Sequence, residues 1–217
     1  MATITLTFDN GPEPDVTPGV LDTLARHGLK STFFVIGEKL AMAGRRALSE
    51  RAAGEGHWIG NHTWTHSVPL GQREDGDGTE AEIGRTQVEL GALAHPDRLF
   101  RPFGGGGNIG PLLLNQRVVE HLTHAAYSCV LWNAIPRDFA DPDGWVDTAL
   151  GQCAARDWTV LVVHDLPNGA MRHLDTFLQR AKDAGHGFRQ DFPDACVPIR
   201  RGEVRAPLEG IVAQRGT

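Results

Sequence analysis

Three short clusters of this sequence carry side chains capable of chemistry, and each falls where a predicted strand gives way to a loop. The first is Asp9-Asn10-Gly11-Pro12. A carboxylate at a strand end serves as a general base once its neighbours fix its orientation; the same four residues are also strong turn formers, so an Asx turn is the competing reading. The second is His62-Thr63-Trp64-Thr65-His66, two imidazoles spaced i, i+4, which share one face if the segment makes a helical turn. Such a pair chelates a borderline divalent ion when oxygen ligands join it. A single histidine is more often structural. The third is His164-Asp165, closing the apolar run 159–163. An imidazole there suits proton donation to a leaving amine near neutral pH, or it is satisfied by a backbone carbonyl. Arg101 and Asp138 lie near the ends of the fourth and fifth predicted strands, where a partly buried charge needs a partner. Each can pair with one of the groups above. The remaining histidines, His27, His57, His95, His121, His124, His173 and His186, read as structural or solvated.

The elements that must position these groups alternate along the chain. Apolar or β-branched runs predict strands at 3–8, 31–36, 58–60, 99–101, 127–131 and 160–164, and helical patterns fall at 16–27, 38–54, 80–92, 111–121, 144–156 and 171–184. Asp15 is a candidate N-cap for the first helix, and Gly28 suits a left-handed position after its end. Six βα-like repeats make either an open doubly wound sheet or a closed barrel, and periodicity does not choose between them. Residues 71–78 are acidic and glycine-rich and read as an exposed loop. From 190 onward the chain is rich in Pro and Arg without clear periodicity, which predicts an extension packed on a single domain spanning 1–217.

Composition excludes several classes. A formal charge of −6 at pH 7, with both signs interspersed, offers no basic stripe for nucleic acid. No apolar run approaches the roughly 20 residues that a spanning helix requires, so a membrane-embedded protein is not expected. The alternating start, Met-Ala-Thr-Ile-Thr-Leu-Thr-Phe, lacks the features of a signal peptide, and the sequence as written predicts a soluble cytoplasmic product. Cys129, Cys153 and Cys196 are odd in number and widely spaced, consistent with buried, inert thiols.

Together the segments 7–12, 56–66 and 162–164 resemble the NodB-homology polysaccharide deacetylases, carbohydrate esterase family four. The stretch Gly56-His57-Trp58-Ile59-Gly60-Asn61-His62-Thr63-Trp64-Thr65-His66 carries most of the likeness. The resemblance implies a distorted (β/α) barrel of about seven strands, with the motifs at the carboxyl ends of the strands around a groove. It implies Asp9 as general base, His164 as the acid that protonates the leaving amine, Arg101 orienting Asp9, and Asp138 hydrogen-bonded to His164. His62 and His66 would hold a divalent metal, zinc first, with cobalt, nickel or manganese as alternatives. The implied reaction is metal-assisted deacetylation of an N-acetylated sugar or related small amide; the expected cytoplasmic location, unlike that of family members acting on peptidoglycan or chitin, points to a small or soluble saccharide. Phe103, Gly104 and Trp64 are candidate substrate contacts.

This sequence departs from the family pattern at named positions. Asn10 stands where the family has a metal-binding Asp; an amide oxygen coordinates without negative charge, so either affinity falls or the metal is lost. Arg101-Pro102-Phe103-Gly104-Gly105-Gly106-Gly107 alters the third motif, and Ile135 and Phe139 alter the fourth. Two further readings follow: a metal-free cyclic-amide hydrolase of the allantoinase-like type, and a non-catalytic carbohydrate-binding relative.

Overall fold

The computed structural model describes residues 2–73 and 78–214. Residues 74–77 of the predicted acidic loop and 215–217 of the extension lie outside that set. Strand β1 (Thr3–Asp9) alternates its side chains: Ile4, Leu6 and Phe8 pack toward the helices, and Thr5, Thr7 and Asp9 face the interior. Its neighbour β6 (Trp158–His164) does the same, with Leu161 and Val163 on the helix side and Val160 and Val162 within. Both strands are buried on both faces, as parallel strands covered by helices must be.

The other strands are β2 (Thr32–Val35), β3 (Trp58–Asn61), β4 (Leu99–Phe100), β5 (Ser128–Cys129), β7 (Gly187–Arg189), β8 (Ile199–Arg200) and β9 (Glu203–Val204). Their order is β6-β1-β2-β3-β4-β5-β8-β9, with β7 beside the first half of β1. Strands β1 to β7 pair in parallel, whereas β8 and β9 are antiparallel. Beyond β5 the chain returns to β6: the Ala134 N–H donates to the Val160 carbonyl at 3.3 Å, and the Val162 N–H donates to the Ala134 carbonyl at 3.0 Å. That bridge draws the curled sheet toward closure, and the result is the distorted barrel of about seven parallel strands.

Helices α1 (Thr17–His27), α2 (Gly37–Leu40), α3 (Arg46–Gly54), α4 (Arg85–Leu90), α5 (Gln116–His124), α6 (Trp145–Ala154) and α7 (Leu174–Asp183) cover the sheet. Gly28 is left-handed at φ 66, as expected, but Val16 rather than Asp15 holds the N-cap position. The predicted helix 38–54 is two helices, because a turn with Gly44 at φ 78 separates α2 from α3. The pattern 80–92 folds as a π-turn, α4 and a 3₁₀ turn. Helix α5 starts five residues later than predicted, where the Asn115 side chain accepts from the Val118 N–H at 3.0 Å. The extension contributes β8 and β9, whose short pairing leaves no period in the sequence to read. Among the described residues no helix is long and apolar enough to cross a membrane.

Candidate active site

The interior row of β1 ends at Asp9, and its register partner on β6 is His164. Two strand ends therefore deliver a carboxylate and an imidazole side by side at the carboxyl edge of the barrel. Arg101, just beyond β4, is held by its N–H donating to the Asn61 carbonyl at 2.9 Å. Its side chain enters the barrel, where Nη1 donates to Asp9 Oδ1 at 2.8 Å and to Thr7 Oγ1 at 2.7 Å. Nε donates to the Val130 carbonyl at 3.2 Å and Nη2 to that of Leu131 at 3.4 Å. The guanidinium lies 4.1 Å from the centroid of the Phe34 ring. Burial lowers its pKa against the pull of Asp9, yet a guanidinium stays charged in proteins.

His62 follows β3. Its Nδ1 lies 2.8 Å from the Arg101 carbonyl, which can only accept, so Nδ1 carries the proton and Nε2 presents a lone pair. That lone pair faces Asp9 Oδ2 at 3.6 Å. His66 reaches the same place without the helical turn anticipated from its spacing. Thr63 and His66 adopt φ values of 67 and 52, the loop doubles back, and the two rings come within 4.6 Å between centroids. Buried Glu82 secures the doubling-back: its Oε2 accepts from the N–H groups of Trp64 and Thr65, both at 2.9 Å. Burial pushes the pKa of each imidazole down to about 3, so both are neutral and able to donate to a metal near pH 7.

His164 has the opposite electrostatics. Burial disfavours its proton, but Asp138, through a hydrogen bond and its charge, with Asp9 and Asp165 adding to it, outweighs burial and raises the pKa. Asp138 Oδ1 lies 2.8 Å from Nδ1, and Oδ2 accepts the His164 N–H at 2.8 Å.

These groups open on one cavity of about 240 Å³. Asp9, Asn10, His62, His66 and His164 line its polar side; Phe103, Trp132, Ile135, Phe139 and Val162 line the other, together with residues 104–107. Phe103 and Gly104 both belong to this lining. Trp64 does not: Arg85 covers its ring at 3.7 Å and Gly37 packs against its edge, so it belongs to the scaffold under the histidine loop. Arg101 and Asp138 are fully buried behind Asp9 and His164 and are absent from the lining, so they meet the cavity only through their bonds to those two groups. The structure adds residues that no motif flagged, Glu82 and Trp132, and gives a place to Asp165 of the third cluster. Asp165 is buried against Gly11, its pKa raised by burial to about 7.

Asn10 lines the cavity at φ 76, and its Oδ1 is buried with no hydrogen-bond partner among the described residues. Among the described residues no three His, Cys, Asp or Glu side chains are grouped to hold a metal ion; the orphaned oxygen of Asn10 and the two neutral imidazoles, all on one cavity, are donors of the kind a divalent cation would take. The three cysteines are buried and free, Cys129 pushed by burial to about 12.

Fold and site together define an α/β barrel with a carboxylate and imidazole cluster at the carboxyl ends of its strands. The chain belongs to the polysaccharide deacetylase family, whose model matches residues 2–127. The peptidoglycan-N-acetylglucosamine deacetylase PgdA of Listeria monocytogenes serotype 1/2a is 30% identical over 187 residues, covering 85% of this chain and 37% of its own length. This chain therefore spans little more than a third of that relative. A peptidoglycan-N-acetylglucosamine deacetylase of Bacillus cereus is 30% identical over 192 residues, 85% of this chain and 84% of its own. Among solved structures, peptidoglycan deacetylase PdaC of Bacillus subtilis superposes with a TM-score of 0.71 at 28% identity, covering 86% of each chain. A family 4 acetyl xylan esterase of Clostridium thermocellum, in complex with a cobalt ion, gives 0.68 at 26% identity, covering 87% of each.

Proposed function

We propose that this chain hydrolyses an amide carbon–nitrogen bond, removing the acetyl group from an N-acetylated saccharide or related small amide. The observation that carries the proposal is the pairing of Asp9 with His164 at adjoining strand ends on one cavity, each backed by a buried charge of opposite sign. The names of the relatives, deacetylases of peptidoglycan N-acetylglucosamine, support the substrate class.

In this reading Asp9, oriented by Arg101, takes a proton from water as the water oxygen bonds to the amide carbon. The carbon–nitrogen bond then breaks, and His164, kept protonated by Asp138, gives its proton to the departing nitrogen. The products are acetate and a free amine. Asn10, His62 and His66 would hold a divalent cation, zinc or cobalt foremost, which supplies Lewis-acid polarisation of the carbonyl when bound. The apolar wall excludes water and seats the part of the substrate that does not react.

The test is elemental mass spectrometry on protein purified without added metal, with a His62→Ala, His66→Ala double variant as reference, alongside acetate release from N-acetylglucosamine oligomers. Near-stoichiometric metal that vanishes in the double variant, with acetate release that vanishes in Asp9→Asn, is expected. No metal above the variant's background even after adding zinc shifts the reading to a metal-free amide hydrolase. Turnover that survives Asp9→Asn sinks the assignment of the base.

A further inference from the structure

The turn that carries Asn10 is fixed from outside the cavity. Its carbonyls are taken in succession: that of Asn10 accepts from Lys39 Nζ at 2.8 Å, that of Gly11 from the Ile36 N–H at 3.1 Å, and that of Pro12 from Arg45 Nη1 at 2.7 Å. Lys39 Nζ also donates to Glu13 Oε1, and Arg45 Nη1 lies 2.8 Å from Glu13 Oε2. The Glu13 N–H in turn donates to the hydroxyl of Thr17, itself bonded to Asp165 at 2.5 Å. In a turn whose three carbonyls are each claimed, Asn10 Oδ1 is left buried and without a hydrogen-bond partner among the described residues, on a residue that lines the cavity.

We propose that Lys39, joined to Glu13 and Arg45, is a positioning residue that holds Asn10 Oδ1 in place as a donor to a divalent cation. The inference rests on the reading of Asn10 as a metal donor and goes beyond it, to residues that never touch the cavity. Lys39 lies on α2 and is absent from the cavity lining, so it acts on the site through the Asn10 carbonyl. A left-handed Asn is a conformation that surrounding structure must hold, and Asn tolerates it better than most residues. A neutral ligand makes such holding matter more. Without a negative charge to draw the ion, affinity depends on how well the oxygen is placed beforehand.

The experiment is zinc affinity, measured by competition with a chromophoric chelator, on the wild type, Lys39→Met, Lys39→Arg and Glu13→Gln, with thermal unfolding of each metal-free protein in parallel. Losing a residue that orients a ligand weakens metal binding about 10- to 100-fold, and that is the loss expected for Lys39→Met. Lys39→Arg, which keeps donors for both oxygens, is expected to recover most of it. Glu13→Gln keeps the shape of the cluster and gives a smaller loss in the same direction, which covers the case of a Lys39→Met protein that does not fold. Zinc affinity for Lys39→Met and Glu13→Gln within about twofold of wild type, with only the unfolding temperature lowered, overturns the inference. A wild type that binds no zinc overturns the donor reading of Asn10 itself, and this inference with it.

Discussion

Asp138 grips His164 with both carboxylate oxygens, Oδ1 2.8 Å from Nδ1 and Oδ2 accepting the backbone N–H of the same residue at 2.8 Å. The double contact fixes the ring against rotation and favours its charged form, raising its pKa. An acid must be protonated to act, so activity falls as pH rises through the His164 pKa. Asp138→Asn removes the charge and lowers that pKa. The alkaline limb of the kcat profile is then expected to move to lower pH, with kcat reduced by about 10²-fold or more. The stability contributed by the pair follows the same sign: present below the ordinary histidine value of about 6.5 and lost as pH rises through the folded value. An alkaline limb that stays in place in Asp138→Asn removes His164 from the role of acid.

Arg101 and Asp9 form a buried pair in which neither charge has a substitute partner of the same strength. Arg101→Met leaves the Asp9 carboxylate buried without its counter-charge and strips donors from Thr7 and two carbonyls. Breaking a buried pair on one side costs about 3–5 kcal/mol, and urea unfolding should show a loss of that size. Adding Asp9→Asn should recover part of it, because the orphaned charge is gone. A single-variant loss below about 1 kcal/mol means that the pair does not carry its charges in the folded state.

The sequence announced the long buried strands and the residues at their ends, because apolar runs such as 159–163 and polar residues directly after them leave a local signal. Asp9, His62, His66, His164, Phe103 and Gly104 all reach the cavity. What it concealed are effects of tertiary placement. The β8–β9 hairpin is too short to have a period, whereas β4 and β5 fall inside the predicted strands 99–101 and 127–131 but are shorter than them. His66 reaches His62 through two left-handed residues rather than through helical spacing. Trp64 reads as a candidate substrate contact because nothing local shows Arg85 lying over its ring. Lys39 and Glu82 act across 29 and 18 residues of chain, at distances that no motif spans.

Two buried histidines, His57 and His62, and the half-buried His66 make the metal-free protein acid-labile. Burial pushes His57 down to about 4 and His62 and His66 to about 3. Between about pH 6.5 and those values the unfolded chain binds protons that the folded protein refuses, so stability declines as pH falls. His57 Nδ1 accepts the Ser31 N–H at 3.0 Å, which requires an unprotonated nitrogen. His57→Gln should lower stability at pH 7 but flatten its decline toward pH 4.5 in urea unfolding. A decline equally steep in the variant assigns the acid sensitivity to other groups.

The apolar wall is built so that residues 104–107 lie close to two side chains. Trp132 Nε1 donates to the Gly107 carbonyl at 3.0 Å, and a Cβ on Gly107 would stand 2.4 Å from Ile135 Cδ1. Gly107 also sits at φ 87, which side chains rarely adopt. Gly107→Ala must therefore shift Ile135 or the loop, reshaping the side of the cavity away from Asp9 and His164. If that wall seats the unreacting part of the substrate in the ground state and transition state alike, the variant raises KM about tenfold and leaves kcat within about twofold. Ile135→Ala added to Gly107→Ala relieves the collision but not the backbone strain, so KM should return part of the way. A fall in kcat at unchanged KM would instead mean that the wall acts on the reacting atoms, through the placement of Phe139 against His164, whose rings meet edge to face at 5.2 Å.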